Sequence, residues 1–87
     1  MEKFDAEAQT RLLVTLVDIY PELMDVDEAK KLLTPETQAF NWAYLEGSGF
    51  LSVERELIYS NDPEKESEVV ELGVRVTAKG IDFLRSV

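Results

Sequence analysis

The chain reads as an α+β fold because helical periodicity fills its first half, period-two alternation fills much of the second, and a Gly-Ser-Gly step separates them. Leu12, Leu13, Leu16, Val17 and Tyr20 fall on one stripe at helical spacing. Leu51, Val53, Leu57 and Tyr59, and later Val70, Leu72, Val74 and Val76, alternate with mostly polar neighbours. With 87 residues the chain has room for one module and one core.

The first helix is expected over about 5–20. Asp5 caps it, Glu7 suits the positive end of the helix dipole, and Pro21 pushes Tyr20 out of the α region. Asp25-Val26-Asp27-Glu28 has the form of a capping box, so a second helix is expected over about 26–33, burying Ala29, Leu32 and Leu33 and leaving Lys30 and Lys31 in water. Thr34 caps a third helix over about 35–46, where Pro35 takes the first position at no loss of a hydrogen bond. Gly47-Ser48-Gly49 ends that helix.

Two strands, about 50–60 and 69–77, then form a hairpin with one apolar and one mostly polar face. Arg55 interrupts the apolar face and marks a bulge or an end of the pairing. Ser60 to Glu68 is polar, carries Pro63 and has no period, which describes a solvated loop. A short helix over about 78–85, capped by Thr77, returns Ile81 and Leu84 to the core.

Charge and composition exclude several kinds of chemistry. The chain has no His and no Cys, which removes disulfides, thiolate or imidazole metal sites, Cys nucleophiles and His-dependent triads. Nine basic against 18 acidic residues leave a formal charge of −9, which repels nucleic-acid phosphates and anionic lipid and attracts basic partners. The charged N-terminus Met1-Glu2-Lys3-Phe4-Asp5 and the absence of a long apolar run imply a cytoplasmic protein without a membrane span.

Two segments carry a family resemblance. Leu45-Glu46-Gly47-Ser48-Gly49-Phe50-Leu51 resembles the junction between recognition helix and wing in winged-helix proteins of the MarR and PadR kind. Val74-Arg75-Val76-Thr77-Ala78-Lys79-Gly80-Ile81-Asp82-Phe83-Leu84 is similar to the segment that leaves the wing in the same proteins, and the likeness extends over about residues 8–84. It implies a winged helix-turn-helix: three helices, a two-stranded wing and a short C-terminal helix. Where such proteins bind DNA, the third helix enters the major groove and the wing meets the backbone.

That use conflicts with the charge. From Thr34 to Val76 there are three basic and nine acidic side chains, a net of −6, where a duplex binder commonly neutralises about 6–10 phosphates. Counting back from Leu45, the family's core-facing positions fall on Gln38, Asn41, Trp42 and Leu45, and its groove-facing positions on Ala39, Phe40, Ala43 and Tyr44. The latter four offer nothing to read a base edge. Two phases fit the third helix. The plainer one, favoured on sequence grounds, rotates it so that Phe40 and Tyr44 are buried and Gln38 and Asn41 exposed. The other keeps the family phase and leaves Ala39, Phe40, Ala43 and Tyr44 as a contact stripe for a protein partner or a second copy of the chain.

The expected function is therefore non-catalytic binding or regulation, with a protein partner of basic character or a homodimer, the acidic wing residues Asp62, Glu64, Glu66 and Glu68 forming a charged rim. In one specialisation that rim imitates a phosphate backbone. The alternative is a homodimeric DNA-binding regulator that uses Gln38, Asn41, Arg55, Lys65 and Arg75. No cofactor, metal or small-molecule substrate is implied. Glu54 and Glu56 share a strand face without a cleft, and the acidic runs at Asp25–Glu28 and Asp62–Glu68 lack the ordered spacing of a calcium loop. Gly47-Ser48-Gly49 follows a helix, where a phosphate loop precedes one. Trp42 has no basic neighbour in sequence and reads as a core or semi-buried residue rather than a base-stacking platform.

Overall fold

A computed structural model describes residues 2–62, 64 and 66–86 of the chain. Four helices and a two-stranded antiparallel sheet follow the order α1 (Ala6–Ile19), α2 (Val26–Lys30), α3 (Gln38–Gly47), β1 (Leu51–Ile58), β2 (Glu68–Val76) and α4 (Ala78–Arg85), with a 3-10 turn over Pro35–Thr37 leading into α3. Leu12, Leu13 and Leu16 of α1 are fully buried and meet Val26, Ala29, Leu33, Leu45, Leu51, Val74 and Val76 in one cluster. Each such side chain contributes about 1.5–3 kcal/mol by leaving water.

Local polar contacts set the element boundaries. The Asp5 carboxylate accepts from the Ala8 N–H at 3.0 Å, Asp25 from the Glu28 N–H at 3.1 Å, and Thr77 from the Gly80 N–H at 3.1 Å, so all three caps form. Three expectations need correction. Tyr20, placed on the apolar stripe of α1, is exposed, because the backbone leaves the helix there with ψ 136°. The second helix stops at Lys30 rather than Leu33: the Leu32 and Leu33 N–H groups bond to the carbonyls of Ala29 at 3.1 Å and Lys30 at 3.0 Å in tighter i→i+3 turns, with Gln38 also donating to the Lys30 carbonyl at 2.9 Å and the Arg11 guanidinium to that of Leu32 at 2.8 and 3.0 Å. Thr34 makes no cap. Its hydroxyl instead donates to Asp5 Oδ2 at 2.7 Å, tying the start of α1 to the approach to α3.

The hairpin is in register from Leu51↔Val76 to Glu54↔Gly73 and then shifts, Arg55 pairing with Glu71 and Ile58 with Glu68. Leu72 is thus an extra residue in β2, and the irregularity expected at Arg55 lies across from it. Inside the bulge, Leu51, Val53, Val74 and Val76 face the core. At that inner end Met24 forms an isolated bridge with Val74 through two backbone bonds of 2.8 Å. Gly73 permits this approach, since a Cβ there would lie 2.9 Å from the Met24 carbonyl oxygen. Thr77 closes the inner end, donating its hydroxyl to the Gly49 carbonyl at 2.6 Å and its N–H to that of Phe50 at 3.0 Å. Gly80 sits in the same corner, where a Cβ would come within 2.8 Å of the Phe50 carbonyl. The outer half of the hairpin extends beyond the helices, and the molecule measures 51 × 32 × 19 Å. Its radius of gyration is 15.0 Å, against about 13 Å for a compact chain of 100 residues.

The phase of α3 is set by Asn41, which is fully buried. Its Oδ1 accepts from the Asp5 N–H at 3.0 Å and from Gln9 Nε2 at 2.7 Å, while its Nδ2 donates to the carbonyls of Lys3 at 3.0 Å and Thr37 at 2.9 Å. All four bonding positions of the amide are used. Asn41→Leu keeps the branched outline of the side chain and strands the Asp5 N–H and the Gln9 amide, so urea unfolding should show a loss of about 1–3 kcal/mol.

Asp5 supplies the titratable part of this junction. The Ala8 N–H, then the Thr34 hydroxyl, hold its carboxyl below the ordinary carboxylate value. A folded-state value below the unfolded one gives stability that is fully present above the unfolded value, near 3.9, and is lost as pH falls through the lower folded value. Asp5→Asn should therefore flatten the acid limb of a stability-against-pH curve below about pH 4 and leave its shape near neutrality unchanged.

Candidate interaction surface

Because Asn41 and Leu45 point inward, helical geometry turns Phe40 and Tyr44 outward, and they are 42% and 45% exposed. Ala39 and Ala43 are exposed beside them. The rotated phase favoured on sequence grounds is corrected: Phe40 and Tyr44 are not core residues, and Asn41 is. The N-terminal arm, held by the Asn41 bonds, brings Phe4 onto the same face, edge-on to Tyr44 with ring centroids 5.0 Å apart and planes at 86°. Phe4 is a member of the patch that sequence reasoning missed. Its one signal is its place just before the Asp5 cap, where an apolar residue ordinarily packs back on its own helix.

The described residues among those named for base or phosphate contact have partners within the chain. Asn41 has no exposed atom to offer and is corrected as a DNA contact, while Gln38 is half-buried with its amide on the Lys30 carbonyl. Arg55 reaches from β1 to Glu46 at the end of α3 (3.5 Å) and across the hairpin to Glu71 (3.6 Å). Arg75 pairs with Glu54 at 3.0 Å. Lys65 lies outside the described residues. Such partly exposed pairs are individually worth about 0–1 kcal/mol, yet a phosphate approaching either guanidinium meets its carboxylate too. Near α2, Lys31 lies 3.3 Å from Glu28, and Lys30 is not simply in water: its Nζ sits 5.3 Å from the centre of the Trp42 ring. Trp42 thus has a basic neighbour after all, across the turn between α2 and α3.

The acidic wing residues Asp62, Glu64, Glu66 and Glu68 are exposed, Asp62 accepting from the Glu64 N–H at 2.9 Å. Among the described residues no group of three or more acidic side chains closes on a cation position, and no helix is long and apolar enough to cross a membrane.

Sequence reasoning also placed Leu57, Tyr59, Val70 and Leu72 on the one apolar face of the hairpin. The bulge corrects this for Val70 and Leu72, while Leu57 keeps the side of Leu51 and Val53 in the continuous β1. Beyond the bulge, Leu57 pairs with Val69 on one face while Val70 and Ile58 lie on the other, and Leu72 belongs to neither pattern. No helix covers either side: Tyr59 is 76%, Val69 62% and Leu72 53% exposed, with Leu57 and Ile58 about half so. Two apolar areas, one on α3 and one on the outer hairpin, are thus open on a molecule of charge −9.

No known family pattern, curated protein sequence or solved structure matches the chain.

Truncating an open aromatic is a mild change for the fold. Phe40→Ala should cost under about 1 kcal/mol, and Tyr44→Ala about 0.5–1.5 because it also gives up Phe4, against about 3–5 for a buried aromatic. Thermal or urea unfolding of the two variants measures this, and a loss in the buried range for either would place that ring in the core.

Proposed function

We propose that the chain is a non-catalytic binding or regulatory module of winged-helix type, whose partner is a protein. The observation that carries the reading is the outward face of α3, which presents Phe40, Tyr44 and two alanines while its amide side chains are turned inward. Apolar and aromatic residues on an open helix face suit the centre of a protein interface, where such residues are enriched and charges depleted. The winged-helix reading is supported by the order of helices, hairpin and final helix, and by the corner in which Thr77 and Gly80 meet Phe50.

Charge supports the same choice of partner. The only cations within β1 and β2, Arg55 and Arg75, are matched by Glu46, Glu71 and Glu54, and the loop beyond them carries acidic side chains open to solvent. A basic protein surface would be drawn to that rim and a nucleic acid repelled from it.

Duplex DNA titrated into the labelled protein while salt is varied tests the reading. No saturable binding is expected at physiological ionic strength, and Arg55→Ala with Arg75→Ala should change nothing. Binding that weakens steeply with salt and vanishes in the double variant would identify a DNA-binding regulator instead.

A further inference from the structure

The outer half of the hairpin is a second docking site. We propose that the free edge of β1 accepts an added strand from a partner segment in which apolar and basic residues alternate. The inference rests on the protein-binding reading above and deepens it, since it names a different surface and the chemistry of what covers it.

The sheet has two strands, so β1 bonds to β2 along one edge and its other edge has no strand beside it among the described residues. An open edge carries unpaired N–H and C=O groups and templates a further strand unless something blunts it. Of the usual devices β1 carries only charge, at Glu54, Arg55 and Glu56: it has no proline, and the extra residue of the bulge is in β2, leaving Leu51–Ile58 continuous. Its outer part is also free of the helical body, flanked by the open side chains of Leu57, Ile58, Val69 and Val70. A lone hairpin of this kind gains little from its own pairing and gains more when a third strand covers its apolar side chains.

Charge selects the occupant. On one face of the outer hairpin Glu56 lies opposite Val70 and Glu68 opposite Ile58. Neither glutamate has an ion-pair partner among the described residues, unlike Glu54 and Glu71, which hold Arg75 and Arg55. Side chains alternate between the two faces of a strand, so one laid along β1 would turn every second residue toward the face of Glu54 and Glu56 and the others toward the face of Leu57 and Val69. Apolar residues would continue the patch, and Lys or Arg would meet Glu56. A second copy of the chain fits poorly, because antiparallel pairing of two β1 edges brings Glu54 and Glu56 of one toward the same residues of the other. Strand addition also divides the work in a chemically sensible way, main-chain bonds holding the segment and alternate side chains choosing it.

A blocked peptide of alternating lysine and valine, matched in length to β1, is the probe. Its binding to the full chain is followed by anisotropy and by amide exchange. Three comparisons accompany it: the same peptide N-methylated at every amide, a glutamate-valine analogue, and the protein variant Glu56→Lys with Glu68→Lys. Saturable binding is expected, with slowed exchange in β1 and weakening of about tenfold or more for both altered peptides and for the charge-reversed protein. Equal binding of the N-methylated peptide would reduce the effect to bulk charge and overturn the proposal. So would equal binding of the acidic peptide, or self-association of the protein that the charge reversal strengthens. Phe40→Ala with Tyr44→Ala should leave peptide binding unchanged. The two readings fail separately: absence of peptide binding removes the strand-addition site, whereas salt-sensitive capture of duplex DNA removes the protein-binding reading.

Discussion

One buried amide organises the upper part of this molecule. Asn41 joins the N-terminal arm, the first turn of α1 and the start of α3 through four hydrogen bonds, and a side chain so fully satisfied has one orientation. Fixing it fixes the rotation of α3. Phe40 and Tyr44, roughly 60–100° round the helix from Asn41, are then held on its open flank whatever their hydrophobicity, with Ala39 and Ala43 beyond them. An apolar residue could have filled the same space, yet it would not choose between two rotations of a helix that is apolar on two sides. The polar hub makes that choice, and it costs little because no donor or acceptor is left over.

The same logic explains which features were legible in the sequence. Asp5, Asp25 and Thr77 cap their helices, and the cause and effect of a cap lie within three residues of each other. The Leu12, Leu13 and Leu16 stripe was equally plain, as was the Gly-Ser-Gly end of α3. What escaped depended on contacts across long separations. Asn41 is drawn in by Lys3 and Asp5, Thr34 is taken from its capping role by Asp5, and Lys30 finds Trp42 across a turn. Composition at Asn41 pointed outward, since amides are ordinarily exposed; the partners that reverse this are 36 and 38 residues away.

The candidate surfaces show the same division. The stripe of Ala39, Phe40, Ala43 and Tyr44 was one of two open readings, and the addition of Phe4 could come only from the path of the N-terminal arm. For the wing, alternation identified the strands and Arg55 marked the irregularity, but a period-two pattern cannot say which strand carries the extra residue. That residue is Leu72. Its insertion moves Val70 to the far side and breaks the single apolar face that the sequence suggests. Electrostatic reasoning depends on neither register nor phase, because it needs only the sum of charges and the knowledge that few cations are present.

The misplaced leucine has a mechanical side. Arg55 clasps Glu46 on the helix and Glu71 on the opposite strand just where the ladder loses step, so the kink is braced at its base by a charge that reaches both ways. Were Leu72 paired in regular step instead, it and Val70 would join Leu57 on one flat side, a broader plate ready to stack on any similar one. With the insertion, oily groups are shared between front and back, and no single broad surface can blot them all out at once. The arm is thereby protected from indiscriminate sticking while its rim stays within reach of a thin visitor.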